Sequence, residues 1–198
     1  MKKFELTTES ITNEAGKKLF RIKALIDFGD VKAGELGGYV EKEENVSQAD
    51  NAWVSGDAEV FGNARVCGDA WVCGNAWVYG NARVYGNAWV CGNARVCGNA
   101  WVCGNAWVSG NARVCGNAWV SGDADYALVQ GFGTEFRCTT FYRGKNKKIM
   151  VNCGCFHGDL EEFRKQVKET RSGKIAKEYL MIADLMKYHF ASEDSSDE

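Results

Sequence analysis

Between Ala52 and Asp123 small apolar, variable and β-branched positions alternate with a fixed period. The unit Ala-x-Val-x-Gly-Asn/Asp occurs twelve times without an insertion. The block opens Ala52-Trp53-Val54-Ser55-Gly56-Asp57 and closes Ala118-Trp119-Val120-Ser121-Gly122-Asp123. Within each unit the pleat of a strand puts Ala and Val on one face and the two variable residues on the other. Small Ala and β-branched Val suit a narrow interior. Gly followed by Asn or Asp supplies residues that tolerate positive φ, so the chain can turn a corner every six residues. A short fixed period of this kind predicts a parallel β-solenoid. The block carries no net charge, its four arginines balancing Asp57, Glu59, Asp69 and Asp123, and its regular Val and Trp spacing is not a disorder composition.

The period stops on both sides. Residues 1–51 read as short strands, Lys18–Phe28 among them, with a turn at Asn13-Glu14-Ala15-Gly16. Their expected role is to cap the first coil, because an open solenoid end exposes strand edges and invites end-to-end association. The repeat domain is bounded at residues 52–125. After it, Glu135–Tyr142 and Lys148–Asn152 read as a hairpin around the basic turn Arg143-Gly144-Lys145-Asn146-Lys147. Asp159 with Glu162 forms a capping box for a helix that buries Leu160, Phe163 and Val167. A second helix, about Ile175–Phe190, offers Tyr179, Leu180, Ile182, Ala183 and Leu185 for packing. Residues 126–191 are therefore expected to form a small ββαα module over the last coil, and residues 192–198 a solvated, disordered acidic tail.

Composition narrows the setting. A net charge of −2 over 198 residues does not suit a general nucleic-acid binder or a membrane-surface protein. No apolar run follows Lys2 and Lys3 as a secretory signal requires, and no stretch approaches the roughly 20 apolar residues of a membrane span. The nine cysteines are an odd number and imply free thiols in a reducing compartment. All seven Trp and six of the nine Cys fall inside the repeat, so the unusual chemistry is repeat chemistry.

The repeat resembles the hexapeptide-repeat left-handed β-helix family, in which three hexapeptides make one triangular coil. That resemblance implies a left hand, where the general rule for parallel crossovers gives a right one. It also implies about four 18-residue coils, a prism roughly 20 Å tall at about 4.8 Å per strand. The lead-in Asp27-Phe28-Gly29-Asp30-Val31-Lys32-Ala33-Gly34-Glu35-Leu36-Gly37-Gly38-Tyr39-Val40 resembles that of uncharacterised hexapeptide-repeat proteins of enterobacteria, phages and prophages. The segment Cys153-Gly154-Cys155-Phe156-His157-Gly158-Asp159-Leu160-Glu161-Glu162-Phe163 is similar to a module that those phage proteins carry after their repeats. A phage or prophage protein working in the cytoplasm of a bacterial host is what this likeness implies.

With three hexapeptides per coil, residues 18 apart stack and the outward positions sort into three faces. The first carries Trp53, Trp71, Trp89 and Trp107. The second carries Glu59, Trp77, Arg95 and Arg113, and the third Arg65, Arg83, Trp101 and Trp119. Four stacked indoles leave a patch of several hundred Å², near the upper limit for a soluble monomer. Trp-rich strips are typical interface cores, so Trp53, Trp71, Trp89 and Trp107 are assigned to partner binding. A homo-oligomer is the first expectation, with the chain's own terminal module or a separate host protein as other occupants. On the other two faces Trp can stack on a nucleobase and Arg can fork onto phosphate. Trp77, Arg95, Arg113, Arg65, Arg83, Trp101 and Trp119 are accordingly candidate ligand residues for a small nucleotide. The neutral block lacks the basic stripe that a long nucleic acid needs.

Enzymes of the resembled family are commonly acyl-coenzyme A-dependent acyltransferases, which implies a general-base histidine on or beside the coils. This chain has only His157 and His189, both after the repeat, and no loop between repeats that could form a substrate pocket. No catalytic residue and no cofactor are assigned. Cys153, Cys155 and His157 with Cys138 offer zinc-ligand chemistry, but the gap is not the usual two residues and Gly154, Phe156 and Gly158 suit a tight strand-to-helix turn, so no metal site is expected. Cys73/Cys91 and Cys97/Cys115 are stacked neighbours close enough to cross-link on oxidation. The resulting expectation is a non-enzymatic interaction or assembly module, acting against host defence by binding a host protein. Nucleotide sequestration and a divergent acyltransferase are the alternatives.

Overall fold

The computed structural model describes residues 1–191, the side chain of Arg137 excepted. The tail expected at residues 192–198 lies outside the described residues. The first three strands are β1 (Phe4–Thr12), β2 (Lys18–Ala24) and β3 (Leu36–Val40). The repeats then form twelve short strands, β4 to β15, each the x-Val pair of one unit from Trp53–Val54 to Trp119–Val120. Each of β4 to β12 pairs in parallel with the strand 18 residues on, as Trp53 with Trp71, Glu59 with Trp77 and Arg65 with Arg83. Three parallel faces therefore enclose one core, a column of buried Ala and Val from every repeat. The chain is a mainly β protein built on a parallel β-solenoid.

Consecutive coils are tied through the main chain. Trp53 N donates to Ala70 O at 3.0 Å, Ser55 N to Val72 O at 2.9 Å and Asp57 N to Gly74 O at 2.9 Å, and the pattern recurs to the last coil. The corners set the strictest local demand. Gly98 has φ +69°, and a Cβ there would stand 2.8 Å from the nitrogen of Gly116 in the next coil. Only glycine meets both conditions. The residue after the corner glycine departs from the sequence expectation: among the described residues the non-glycine positions with positive φ are Phe136 and Lys147, not the corner asparagines. Asn is used there for its amide, which donates and accepts at once. Asn63 donates to Asn81, Asn81 to Asn99 and Asn99 to Asn117 at 3.2, 3.2 and 3.3 Å. Asn75, Asn93 and Asn111 form a second such ladder.

The parallel stack begins before the repeat. After the antiparallel β1–β2–β3 sheet, β3 pairs in parallel with Glu59–Val60, and Val46 bridges Val66. The lead-in thus adds a turn to the four made by the repeats, rather than only covering the first of them. Its partners Tyr39/Glu59 and Val46/Val66 are 20 residues apart, so two additional residues bulge between Val46 and Trp53. Lys3 fills that bulge, its Nζ donating to Asp50 O and Ala52 O at 2.7 Å each. Burial lowers the Lys3 pKa to about 8 against the opposing pull of Asp50.

The C-terminal module has four strands where the sequence predicts two. β16 (Tyr126–Phe132), β17 (Arg137–Arg143), β18 (Ile149–Cys153) and β19 (Phe156–Asp159) form an antiparallel sheet in that order. The segment read as a turn into the helix is β19, paired with β18. Helices α1 (Leu160–Thr170) and α2 (Gly173–His189) follow. Among the described residues no helix is long and apolar enough to cross a membrane. Leu160, Phe163 and Val167 are buried against Phe141, Val151, Ile182 and Ala183. Leu185, expected to pack, is 57% exposed, and Met186 takes the inner position one residue on.

The module, together with Asp123 at the end of the repeat, meets polar groups on the last coil's open edge. Asp123 Oδ1 accepts from Trp107 N at 2.8 Å and Thr140 Oγ1 from Arg113 N at 3.0 Å. Asn152 Nδ2 donates to Arg113 O at 2.8 Å, and Lys145 N to Asn117 O at 3.1 Å.

Asp159 caps α1 through Glu161 N and Glu162 N, and Glu162 returns a bond to Asp159 N at 2.8 Å. The Lys148 ammonium and these N–H groups hold the Asp159 carboxyl below its ordinary 3.8. Asp159→Ala is expected to lower stability by about 1 kcal/mol at pH 7. A depressed carboxyl pKa stabilises the fold above the unfolded value and loses that contribution as pH falls through the folded one. The gap between wild type and variant, measured by urea unfolding, should therefore close as pH drops below 3.8.

Candidate functional site

The four indoles of the first face stack in the expected register but differ in exposure. Trp53 is fully buried, packed edge-on against Phe4 at 6.2 Å and Phe28 at 5.3 Å, and Gly37 leaves the space that its ring occupies. Its assignment to partner binding is therefore corrected: the N-terminal segment has taken it into the core. Trp71 is half-buried, with Nε1 donating to Ser55 Oγ at 2.9 Å. Trp89 and Trp107 are 44% and 53% exposed. Ring centroids are 6.0 Å apart for Trp71–Trp89 and 5.9 Å for Trp89–Trp107, so the indoles form one continuous strip. The C-terminal module approaches this face through the main chain, Tyr126 Oη donating to Trp107 O at 2.5 Å, and leaves the Trp107 ring open.

The second face is closed at its upper end. Leu19, Tyr39 and Phe61 form a small cluster with Ile11, Trp77 and Tyr79 against it. Glu59 is buried there, accepting from Asn13 Nδ2 at 2.8 Å, and burial raises its pKa despite that bond. Arg95 lies over the Trp77 ring at 4.5 Å, while Arg113 is exposed. On the third face Arg65 is exposed, Arg83 lies over Trp101 at 5.4 Å, and Lys145 of the C-terminal module stands 4.4 Å from the same ring. Trp119, 41% exposed, packs on Trp101 at 5.3 Å. The structure keeps these candidate ligand residues on two separate faces, pairs Arg95 and Arg83 with rings of their own faces, and leaves Arg113 and Arg65 exposed.

A polar cluster that the sequence reading did not assemble lies where the second face meets the C-terminal module. Cys97 Sγ and Cys115 Sγ are 2.6 Å apart. Tyr142 Oη donates to Cys115 O at 3.1 Å, accepts from Asn152 Nδ2 at 3.2 Å, and lies 3.4 Å from His157 Nε2. Burial pushes the Tyr142 hydroxyl far above its usual range. His157 abuts the Gly116 corner, so one of the two histidines does stand beside a coil. Forty-two positions separate His157 from Cys115, and no periodic signal connects them. The only hint was the expected covering of the last coil.

Among the described residues no group of three or more His, Cys, Asp or Glu stands where it could hold a metal ion. Cys153 Sγ accepts from Thr139 Oγ1 at 3.1 Å, Cys138 Sγ donates to Asn111 O at 3.4 Å, and Cys155 is exposed.

The family model described as YdcK beta solenoid repeat matches residues 76–92, 88–104, 94–110 and 106–122. No curated protein matches the chain. The matched windows lie wholly inside the twelve-unit block, and together with the parallel register they place it among repeat β-solenoids.

The unequal burial of like residues in one column is directly testable. Trp53→Ala should cost about 3–5 kcal/mol, the range for emptying a core aromatic site. Trp107→Ser should stay within about 0.5 kcal/mol of wild type. Denaturant unfolding of the two variants side by side checks both values.

Proposed function

We propose that this chain is a non-enzymatic assembly module, a rigid β-prism that pairs with a second copy through Trp71, Trp89 and Trp107. The observation that carries this reading is a pair of open indoles on a face that is otherwise uncharged over three coils. There the outward positions are Trp71, Cys73, Trp89, Cys91, Trp107 and Ser109, bordered by the Asn75–Asn93–Asn111 amide ladder. The other faces stack Arg95 on Arg113 and Arg65 on Arg83, which would oppose like charges in a symmetric pair. An uncharged aromatic strip can face its own copy across a two-fold axis without that repulsion. Half-exposed indoles contribute on the order of 100 Å² each. That is the central cluster of an interface needing about 800 Å² per partner, with the corner amides as its polar rim.

The closed cation–ring pairs Arg95–Trp77 and Lys145–Trp101 favour this reading over nucleotide sequestration, which needs those ring faces free. A host protein bound in place of the second copy, the counter-defence role of a phage-encoded module, uses the same strip and draws on the likeness of the Asp27–Val40 lead-in to phage and prophage proteins.

Native mass spectrometry of the gently purified chain and of a Trp89→Ser/Trp107→Ser variant tests the proposal. The wild type should appear as a dimer of unliganded chains and the variant as a folded monomer. A monomeric wild type, or a dimer that survives both substitutions, would overturn it. An added mass lost on denaturation would move the reading to a bound ligand or host protein.

A further inference from the structure

The sulfur columns of the three faces occupy equivalent repeat positions but have different surroundings. On the first face burial pushes the Cys73 thiol up to about 11, and Cys91 Sγ accepts from Trp107 Nε1 at 3.0 Å. On the third face Tyr85 separates Cys67 from Cys103. The second face brings two sulfurs into contact, Cys97 and Cys115, one residue-pair beyond the Arg95–Arg113 and Val96–Val114 register partners of adjacent coils. Parallel neighbours at about 4.8 Å fall within the Cα separation that a disulfide spans. The hydrogen bond shared with Cys115, then Tyr79, Arg113 and Arg95, lower the pKa of Cys97 against the cost of burial. The same contact, followed by burial, raises that of Cys115. The two thiols titrate as one coupled pair, in which the contact between them eases loss of the first proton and holds the second.

We infer that Cys97 and Cys115 form a peroxide-reactive dithiol whose oxidation bonds the last two coils beneath the C-terminal module. The Cys97 thiolate attacks one oxygen of a hydroperoxide, and the O–O bond breaks. Cys97 becomes a sulfenic acid while the departing hydroxide or alkoxide takes a proton. Cys115 then loses its proton to solvent and attacks the Cys97 sulfur. The S–O bond breaks, water leaves, and the disulfide forms. The two thiols are oxidised by two electrons and the peroxide is reduced by two. The bond sits where Tyr142 holds the Cys115 carbonyl, so it fastens the edge on which the module is seated. This inference is independent of pairing through the Trp strip, which lies on another face.

The test uses the full chain, hydrogen peroxide at neutral pH, and blocking of the remaining thiols in denaturant before trypsin digestion. Cleavage after Arg95, Arg113 and Arg137 places Cys97 with Cys103 in one peptide and Cys115 alone in the next. The expected product is these two peptides joined with the loss of two hydrogens, with fragment ions assigning the link to Cys97. In Cys115→Ser the second step is blocked, and Cys97 should accumulate as a sulfenic acid that dimedone captures. On the untreated chain at pH 7, Cys97 should alkylate at least about tenfold faster than Cys73, because reactivity follows thiolate fraction more steeply than it loses nucleophilicity. Two results would overturn the inference: a link that runs from Cys103 or forms first at Cys73–Cys91, or unlinked peptides at a peroxide dose that oxidises exposed Cys155.

Discussion

The fold rests on one contact, repeated: main chain against main chain at each corner, from one coil to the next. Where Gly98 meets Gly116 no side-chain atom fits, and the backbone takes a φ that other residues resist. That contact fixes the rise, and the rise fixes the pairing of each x-Val dipeptide with its counterpart 18 residues on. An inserted residue would turn Ala and Val outward and the variable residues inward. The absence of insertions across twelve units is a mechanical requirement. The outward positions face no such demand and can hold Trp, Arg, Glu, Tyr, Phe, Ser or Cys. Once chosen, each is held in a column against its neighbours above and below.

A stack with this geometry must also be stopped, because its last coil is a template for another. The two ends do this by different means. At the start the stack is continued and then diverted: β3 pairs in parallel with the first repeats, β2 and β1 turn antiparallel, and Lys3 secures the two-residue bulge. At the far end, among the described residues, no strand continues any of the three faces. Side chains of a separate sheet, Thr140, Tyr142 and Asn152, meet the free groups one at a time, together with Asp123 from the end of the repeat itself. Such a cap gathers polar side chains at the last coil. The cluster around Cys115 lies there because a solenoid end needs donors and acceptors that its interior does not.

The sequence made legible what the period controls. The parallel register, the three faces, the Ala/Val core and the capping box at Asp159 all follow from spacing within a few residues or from strict repetition. What it hid depends on the meeting of segments that no period relates. Trp53 is identical in its unit to Trp107, yet Phe4 and Phe28 bury one while the other stays open. Leu185 and Met186 both suit a helix interior, and a rotation of about 100° per residue decided between them. β19 was obscured because Gly154, Phe156 and Gly158 satisfy a turn as readily as a hairpin. The corner asparagines were placed correctly and explained wrongly, since Asn tolerates positive φ in general but here forms amide ladders.

Near-identical repeats can nonetheless carry distinct chemistry, because a column's properties depend on the order of its members. Cys73 and Cys97 occupy the same position of their respective hexapeptides. Cys73 lies in the Trp-lined column, where nothing nearby stabilises a negative charge and burial raises its pKa. Cys97 stands between Tyr79 and Cys115, with Arg95 and Arg113 two residues earlier along their strands on the same face, and its thiolate is favoured. Exchanging whole coils would preserve the main-chain contacts and the core while rewriting these neighbours. A repeat protein of this kind can therefore gain or lose height at little cost to its fold. Its surface chemistry is set by which coil comes to rest beneath which, and by what the terminal modules place against the last one.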